Sequence, residues 1–396
     1  MAIHGKDRLM SGLRILITNI TIATRTGTEL YVRDLATGLL DRGHTPMVYS
    51  PELGPLADEL RAAAVEVVDD LSVLATPPDV IHGHHNLPAM QALLHFPGVP
   101  AVFFCHDSQS WHDSPPRSPR IRRYVSVDLA CWDRLVRRHG IREERVRVLL
   151  NFVDLKRFTP RGPLPPRPTR AVVFSNNASE RTHVGAVREA CGRAGIALDV
   201  IGASAGNICA RPEEVLGRYD LVFAKGRCAL EAAAVGAAVI LCDAAGAGPM
   251  VTSGELDRLR PLNFGRRALC EPVSAGALAR EMARYDSKDA AEVSRRIRAT
   301  AGRDAVVDEI SSLYQEVLVE HASGGEYDSA VGSRAVARLQ VLGWRFLRLA
   351  WLLDRRYGPM KYRLVLPASQ WIKRLLSRQG VDKRGSPSPA AGRRAS

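Results

Sequence analysis

The chain has 396 residues, 46% of them hydrophobic, enough for two ordinary domains, each with its own core. No apolar run reaches the roughly 20 residues a membrane-spanning helix needs, and residues 1–12 do not read as a signal peptide. Of the 55 basic and 42 acidic residues, 15 and 2 lie from Ala330 onward, so the remaining 40 of each sign cancel and the net +13 belongs entirely to the tail. Seven cysteines without a CxxC pair fit a reducing cytosol and give no zinc signal; Cys105, Cys228 and Cys242 sit in apolar runs and read as small core residues.

Leu13 to Asn19 is an apolar run of the kind a buried parallel strand shows. Leu30, Val32, Leu35, Leu39 and Leu40 then share one face of a helix that Gly43 ends, and Met47 to Ser50 is the next strand. Strand, loop, helix and strand make a Rossmann half. The loop from Thr24 to Glu29 lies at the mouth of the first strand and has no GxGxxG, so no dinucleotide site is read there. Asp79–His82 is a further strand, followed by His84 and His85. Three histidines invite a metal, but no Cys or carboxylate lies at ligand spacing in that loop, so structural or acceptor-facing roles are expected and no metal site. Pro100–Cys105 delivers His106 and Asp107 to the same sheet edge, where a histidine suits a position near a leaving phosphate. Tyr124–Val127 reads as a strand, Leu129–His139 as a helix, and Val146–Val153 leads into NFVDLKRFTP. RGPLPPRPT, Arg161–Thr169, is a semi-rigid linker.

A second Rossmann-like set starts at Arg170: strand 171–174, helix 184–194, and a strand 198–201 ending in Gly202. The loop after its first strand, SNNASERTH, offers Ser175, Asn176, Asn177 and Arg181. The central stretch is YDLVFAKGRCALEAAAVGAAVILCD, Tyr219–Asp243. It predicts a strand at 220–223, an Ala-rich helix over 227–235 capped by Gly236, and a strand at 237–242. Lys225, Gly226 and Arg227 stand where strand meets helix, with Glu231 one turn in. Cations at a helix start favour a phosphate, and a carboxylate beyond them suits sugar hydroxyls. Gly246–Val251 reads as a turn with free backbone donors, including Gly248. Helices are expected at 275–285 and 305–320.

The central stretch resembles the donor segment of the retaining two-Rossmann (GT-B) glycosyltransferases, the family that includes sucrose and glycogen synthases. Ala229, Leu230, Glu231, Ala232, Ala234, Gly236, Val239 and Ile240 match the end of its Glu-x7-Glu motif; Phe223 stands where the first glutamate falls. Asn151, Val153, Asp154, Phe158 and Pro160 match the family's junction pattern. The resemblance implies an α/β fold, two Rossmann-like domains facing an interdomain cleft, at 1–160 and 170–303 with a closing helix at 304–321. It also implies Glu231 on the nucleotide ribose, His106 in the cleft and Gly27 near the donor phosphates. Lys225 and Arg227 are expected to replace the cations the second-half loop lacks, so that His106, Lys225 and Glu231 serve catalysis. Gly27, Ser175, Asn176, Asn177, Arg181, Gly202, Lys225, Arg227, Glu231 and Gly248 are expected to hold the nucleotide-sugar donor, which is a substrate rather than a cofactor.

The implied activity is metal-independent, retaining transfer of a sugar from that donor to a glycan or lipid-linked acceptor hydroxyl, in cell-surface glycan or glycolipid assembly. Rival readings are a non-catalytic nucleotide-sugar binder and a sugar-nucleotide epimerase. In the tail, residues 334–356 set Arg334, Arg338, Arg345, Arg348, Arg355 and Arg356 against Leu339, Leu342, Phe346, Leu349, Ala350 and Leu353, with Trp344, Trp351 and Trp371 nearby. A basic amphipathic tail over 334–380 suits an anionic membrane surface, so a cytoplasmic, peripheral location is expected. No nucleic-acid motif is present, and residues 381–396 read as disordered.

Overall fold

The structure, a computed structural model, describes residues 12–324, 341–343, 345 and 349. The chain divides into two units, Met1–Gly332 and Ser333–Ser396. The amphipathic and disordered tail readings lie outside the described residues, apart from helical positions at 341–343, 345 and 349. Among the described residues, no helix is long and apolar enough to cross a membrane.

The first unit is an α/β protein built on two sheets. The first is seven-stranded and wholly parallel: β1 (Arg14–Thr18), β2 (Thr45–Tyr49), β3 (Glu66–Val68), β4 (Val80–His84), β5 (Ala101–Cys105), β6 (Ile121–Ser126) and β7 (Val146–Val148), in the order β3-β2-β1-β4-β5-β6-β7. Strands such as RILIT and AVFFC are nearly all apolar because both faces of a parallel sheet are covered. The covering helices are α1 (Gly27–Leu40), α2 (Pro55–Ala62), α3 (Asn86–His95) and α4 (Leu129–Asp133). The helix expected over 129–139 is α4 followed by a π-helical turn, Arg134–Arg138.

The second sheet holds β8 (Arg170–Phe174), β9 (Ala197–Ile201), β10 (Leu221–Ala224), β11 (Ala238–Asp243) and β12 (Gly246–Met250), in the order β12-β11-β10-β8-β9. Its helices are α5 (Val184–Arg193), α6 (Gly226–Val235), the short α7 (Leu256–Leu259), α8 (Ala275–Met282) and α9 (Ser287–Thr300). Helix α5 packs with α8 on one face, and α6 with α9 on the other. Gly236 ends α6 with φ 93°, the left-handed cap that glycine adopts without a Cβ clash. Of residues 246–251, expected as a turn, Gly246–Met250 instead form the buried strand β12, antiparallel to β11. Helix α10 (Arg303–Ala322) returns to the first sheet, where Val307, Ile310, Leu313, Tyr314 and Val317 enter its core.

Both sheets reverse strand order, between β1 and β4 and between β8 and β10. In such open sheets the loops at the carboxyl ends part at the switch point and leave a crevice that binds ligands. The two halves meet through polar contacts. Arg227 pairs with Asp34, Arg260 donates to the Asn151 carbonyl, and Arg267 pairs with Asp133.

Candidate active site

At the switch point of the second sheet, Ser175 leaves β8 and Lys225 leaves β10 as the N-cap of α6. Ser175 Oγ donates to Asp243 Oδ2 at 3.0 Å, and Lys225 Nζ lies 3.9 Å from the same oxygen. Asp243 and Ser175 are buried, whereas the Lys225 side chain is 34% exposed. A partly exposed cation at a helix start, braced by a buried carboxylate, suits an anionic ligand.

Arg227 and Glu231 are placed differently from the sequence expectation. Arg227 Nε donates to Glu231 Oε1 at 2.7 Å, and its far nitrogen donates to Asp34 of α1. Its side chain is 9% exposed. Burial opposes its charge, but Asp34 and Glu231 together raise its pKa. For Asp34, burial alone would raise the pKa, yet Arg227, Arg33 and Arg157 hold it below the ordinary carboxylate range. Glu231 goes the other way, because its burial outweighs the pairing with Arg227. Arg157 also joins this network, reaching Asp34 at 3.3 Å and Glu213 at 2.8 Å. Arg227 and Glu231 are locked together at the junction of the halves, and Lys225 is aimed beside Asp243. No signal in the local sequence marks Asp34 as the partner.

The first half brings its histidines to the same junction. His106 follows β5 and is half-buried; its Nε2 lies 2.7 Å from His84 Nδ1, and its ring centroid 4.8 Å from Tyr31. Tyr31 also packs on Phe152 and His84, so His106 sits in an aromatic cluster of the first half. Burial depresses the pKa of His106 and holds the ring neutral at pH 7. His82 is a core residue, stacked on Phe104 and 2.5 Å from the Tyr314 hydroxyl.

Asp113, which spacing did not reveal, lies beside His85 and His112, and their donor atoms fall within 4.8 Å of one another. The site does not suit a cation. His85 Nδ1 accepts the Ile20 N–H at 3.2 Å, so the neutral ring keeps its proton on Nε2, the atom that faces Asp113. Asp113 instead braces His106, accepting its backbone N–H at 2.7 Å.

Gly27 opens α1 and is exposed; Asn176 and Asn177 are exposed behind Ser175. Asn176 accepts from the Ala203 N–H, which docks the 202–207 loop on the β8 loop. A Cβ on Gly202 would lie 1.9 Å from the Ser175 carbonyl oxygen, so glycine permits that close approach. A Cβ on Gly248 would meet the Ala268 carbonyl at 2.3 Å, and strand pairing in β12 replaces the expected loop donors. Arg181 is exposed and lines a cavity of about 570 Å³ together with Thr182, His183, Ala244–Gly246 and Leu269–Val273. Phe223, at the first motif position, is fully buried within β10.

Residues 25–157 match Glycosyltransferase Family 4. Among solved structures, a glycosyltransferase from Rickettsia africae is similar at 17% identity and TM-score 0.57, over 78% of this chain and 99% of that one. HepE from Anabaena is similar at 14% identity. Its complex with UDP and glucose has TM-score 0.56 and its UDP-glucose complex 0.57, each over 77% of this chain and 100% of that one. No curated protein sequence matches the chain. The solved structures show the GT-B fold, and with the family match the class is a glycosyltransferase.

Proposed function

We propose that the protein transfers a sugar from a nucleotide-sugar donor to an acceptor hydroxyl, with the donor's diphosphate at Lys225. The observation that carries this is the placement of Lys225, Ser175 and Asp243 at the switch point of the second sheet, where such sheets bind ligands. The binding of UDP and UDP-glucose by Anabaena HepE, a similar fold, supports a uridine donor as the first to test. The acceptor is a glycan or lipid-linked hydroxyl in cell-surface assembly, entering from the first half past His106.

Departure of the nucleotide leaves negative charge on the diphosphate. Lys225 and the N-terminus of α6 stabilise that charge where it develops. His106, neutral and held by Asp113 and His84, donates a hydrogen bond to the sugar rather than a charge. The departing phosphate takes the acceptor proton on the same face, so configuration is retained without a protein base or a metal. The test is a transfer or donor-hydrolysis assay across a panel of nucleotide sugars, with and without chelator. Turnover that persists in chelator and falls in Lys225→Met supports the reading; no donor binding or turnover across the panel rejects it.

A further inference from the structure

We infer that His183 contacts the sugar ring of the donor and sets which sugar is accepted. This rests on the donor-site reading above. His183 precedes α5 and lines the cavity between the β8 loop and the β11–β12 turn. It is 1% exposed, yet neither ring nitrogen has a hydrogen-bond partner within the protein. Buried polar groups are nearly always paired, so an unpaired imidazole in the wall of a cavity points to a ligand.

The chemistry selects the ligand. Burial lowers the His183 pKa, with Asp243 and Lys225 acting on it in opposite senses, so the ring is neutral at pH 7. A neutral imidazole offers one N–H and one bare nitrogen. A phosphate or carboxylate only accepts hydrogen bonds and satisfies one of the two. Sugar hydroxyls both donate and accept, and neighbouring hydroxyls satisfy both nitrogens. The opposite wall suits a sugar ring. Ala244, Ala245 and Gly246 leave room, Leu269, Pro272 and Val273 are apolar, and Glu271 is already paired with Arg280 at 2.7 Å. At about 570 Å³ the cavity falls in the range of small-molecule sites. Arg181, which is exposed, also lines the cavity.

The test compares UDP with UDP-glucose and other nucleotide hexoses by titration calorimetry on the full chain. His183→Ala is expected to leave affinity for the bare nucleotide within about twofold and to weaken the sugar-bearing form about 10- to 100-fold. His183→Asn, which keeps a donor and an acceptor, restores part of that loss and changes the ranking of sugars. Equal loss on nucleotide and nucleotide sugar, or no loss on either, overturns the inference, and so does full loss in His183→Asn with an unchanged ranking. Lys225→Met separates the two readings because it weakens both ligands. If the wild type binds nothing in the panel, the donor site itself falls and the His183 role with it.

Discussion

Arg227 on α6 and Asp34 on α1, 193 residues apart in sequence, form a buried ion pair that joins the two halves of the molecule. The pair is satisfied on both sides, since Glu231 takes the other edge of the guanidinium and Arg33 and Arg157 flank Asp34. Removing one partner of a buried pair costs about 3–5 kcal/mol. Asp34→Ala is therefore expected to lower the melting temperature by several degrees and to speed proteolysis in the 161–169 linker. An unchanged melt and digestion pattern would show that the pair does not hold the halves.

Arg227 and Lys225 separate by readout. Arg227→Ala takes from the buried Glu231 its ion-pair partner and from Asp34 one of three arginines, so its main effect is on stability. Lys225→Met keeps the apolar stem and removes one partly exposed charge, so its main effect is on turnover, by about 100-fold. Melting and steady-state rates on both variants check this; equal stability losses would contradict it.

Asp113 makes a pH prediction. Burial raises its pKa from 3.8 to about 7, so between these values the folded state binds more protons than the unfolded chain. Its contribution is greatest below about pH 4 and is lost as pH rises through about 7, by about 4 kcal/mol at most. Asp34, with a depressed pKa, acts oppositely and only at the acid end. Asp113→Asn still accepts the His106 N–H and is expected to match or exceed wild-type stability at pH 8 while losing the slope from pH 4 to 7. Melting curves across that window test it, and parallel curves for the two proteins would count against it.

Restoring the motif's first glutamate is expected to fail. Phe223 is fully buried in β10 among Val173 and Ile240, so Phe223→Glu places an uncompensated carboxylate in the core. A destabilisation of more than about 3 kcal/mol follows. Soluble, more active Phe223→Glu protein would show instead that the position reaches the site.

These outcomes divide along what could be read in the residues. The strands around 15–17, 171–174 and 238–242 were legible because both faces of a parallel sheet demand continuous apolar runs, and Gly236 marked the end of α6. Strand β12 was not, since GAGPM has turn composition and pairs only because β11 and Ala268 approach it closely. Lys225 was legible as a cation at a helix start. The partners of Arg227 and the bracing of His106 by Asp113 were not, because they depend on which loops the topology brings together. His183 carries no local signal, because its burial depends on how the 244–246 and 269–273 segments pack beside it.

The most direct test is titration of UDP-glucose, or the tightest-binding member of a nucleotide-sugar panel, into wild-type and Lys225→Met protein, with melting temperatures recorded for both. The account predicts binding to the wild type, at least tenfold weaker binding to the variant, and little change in melting temperature. Equal affinity in the two proteins would contradict a donor diphosphate held at Lys225.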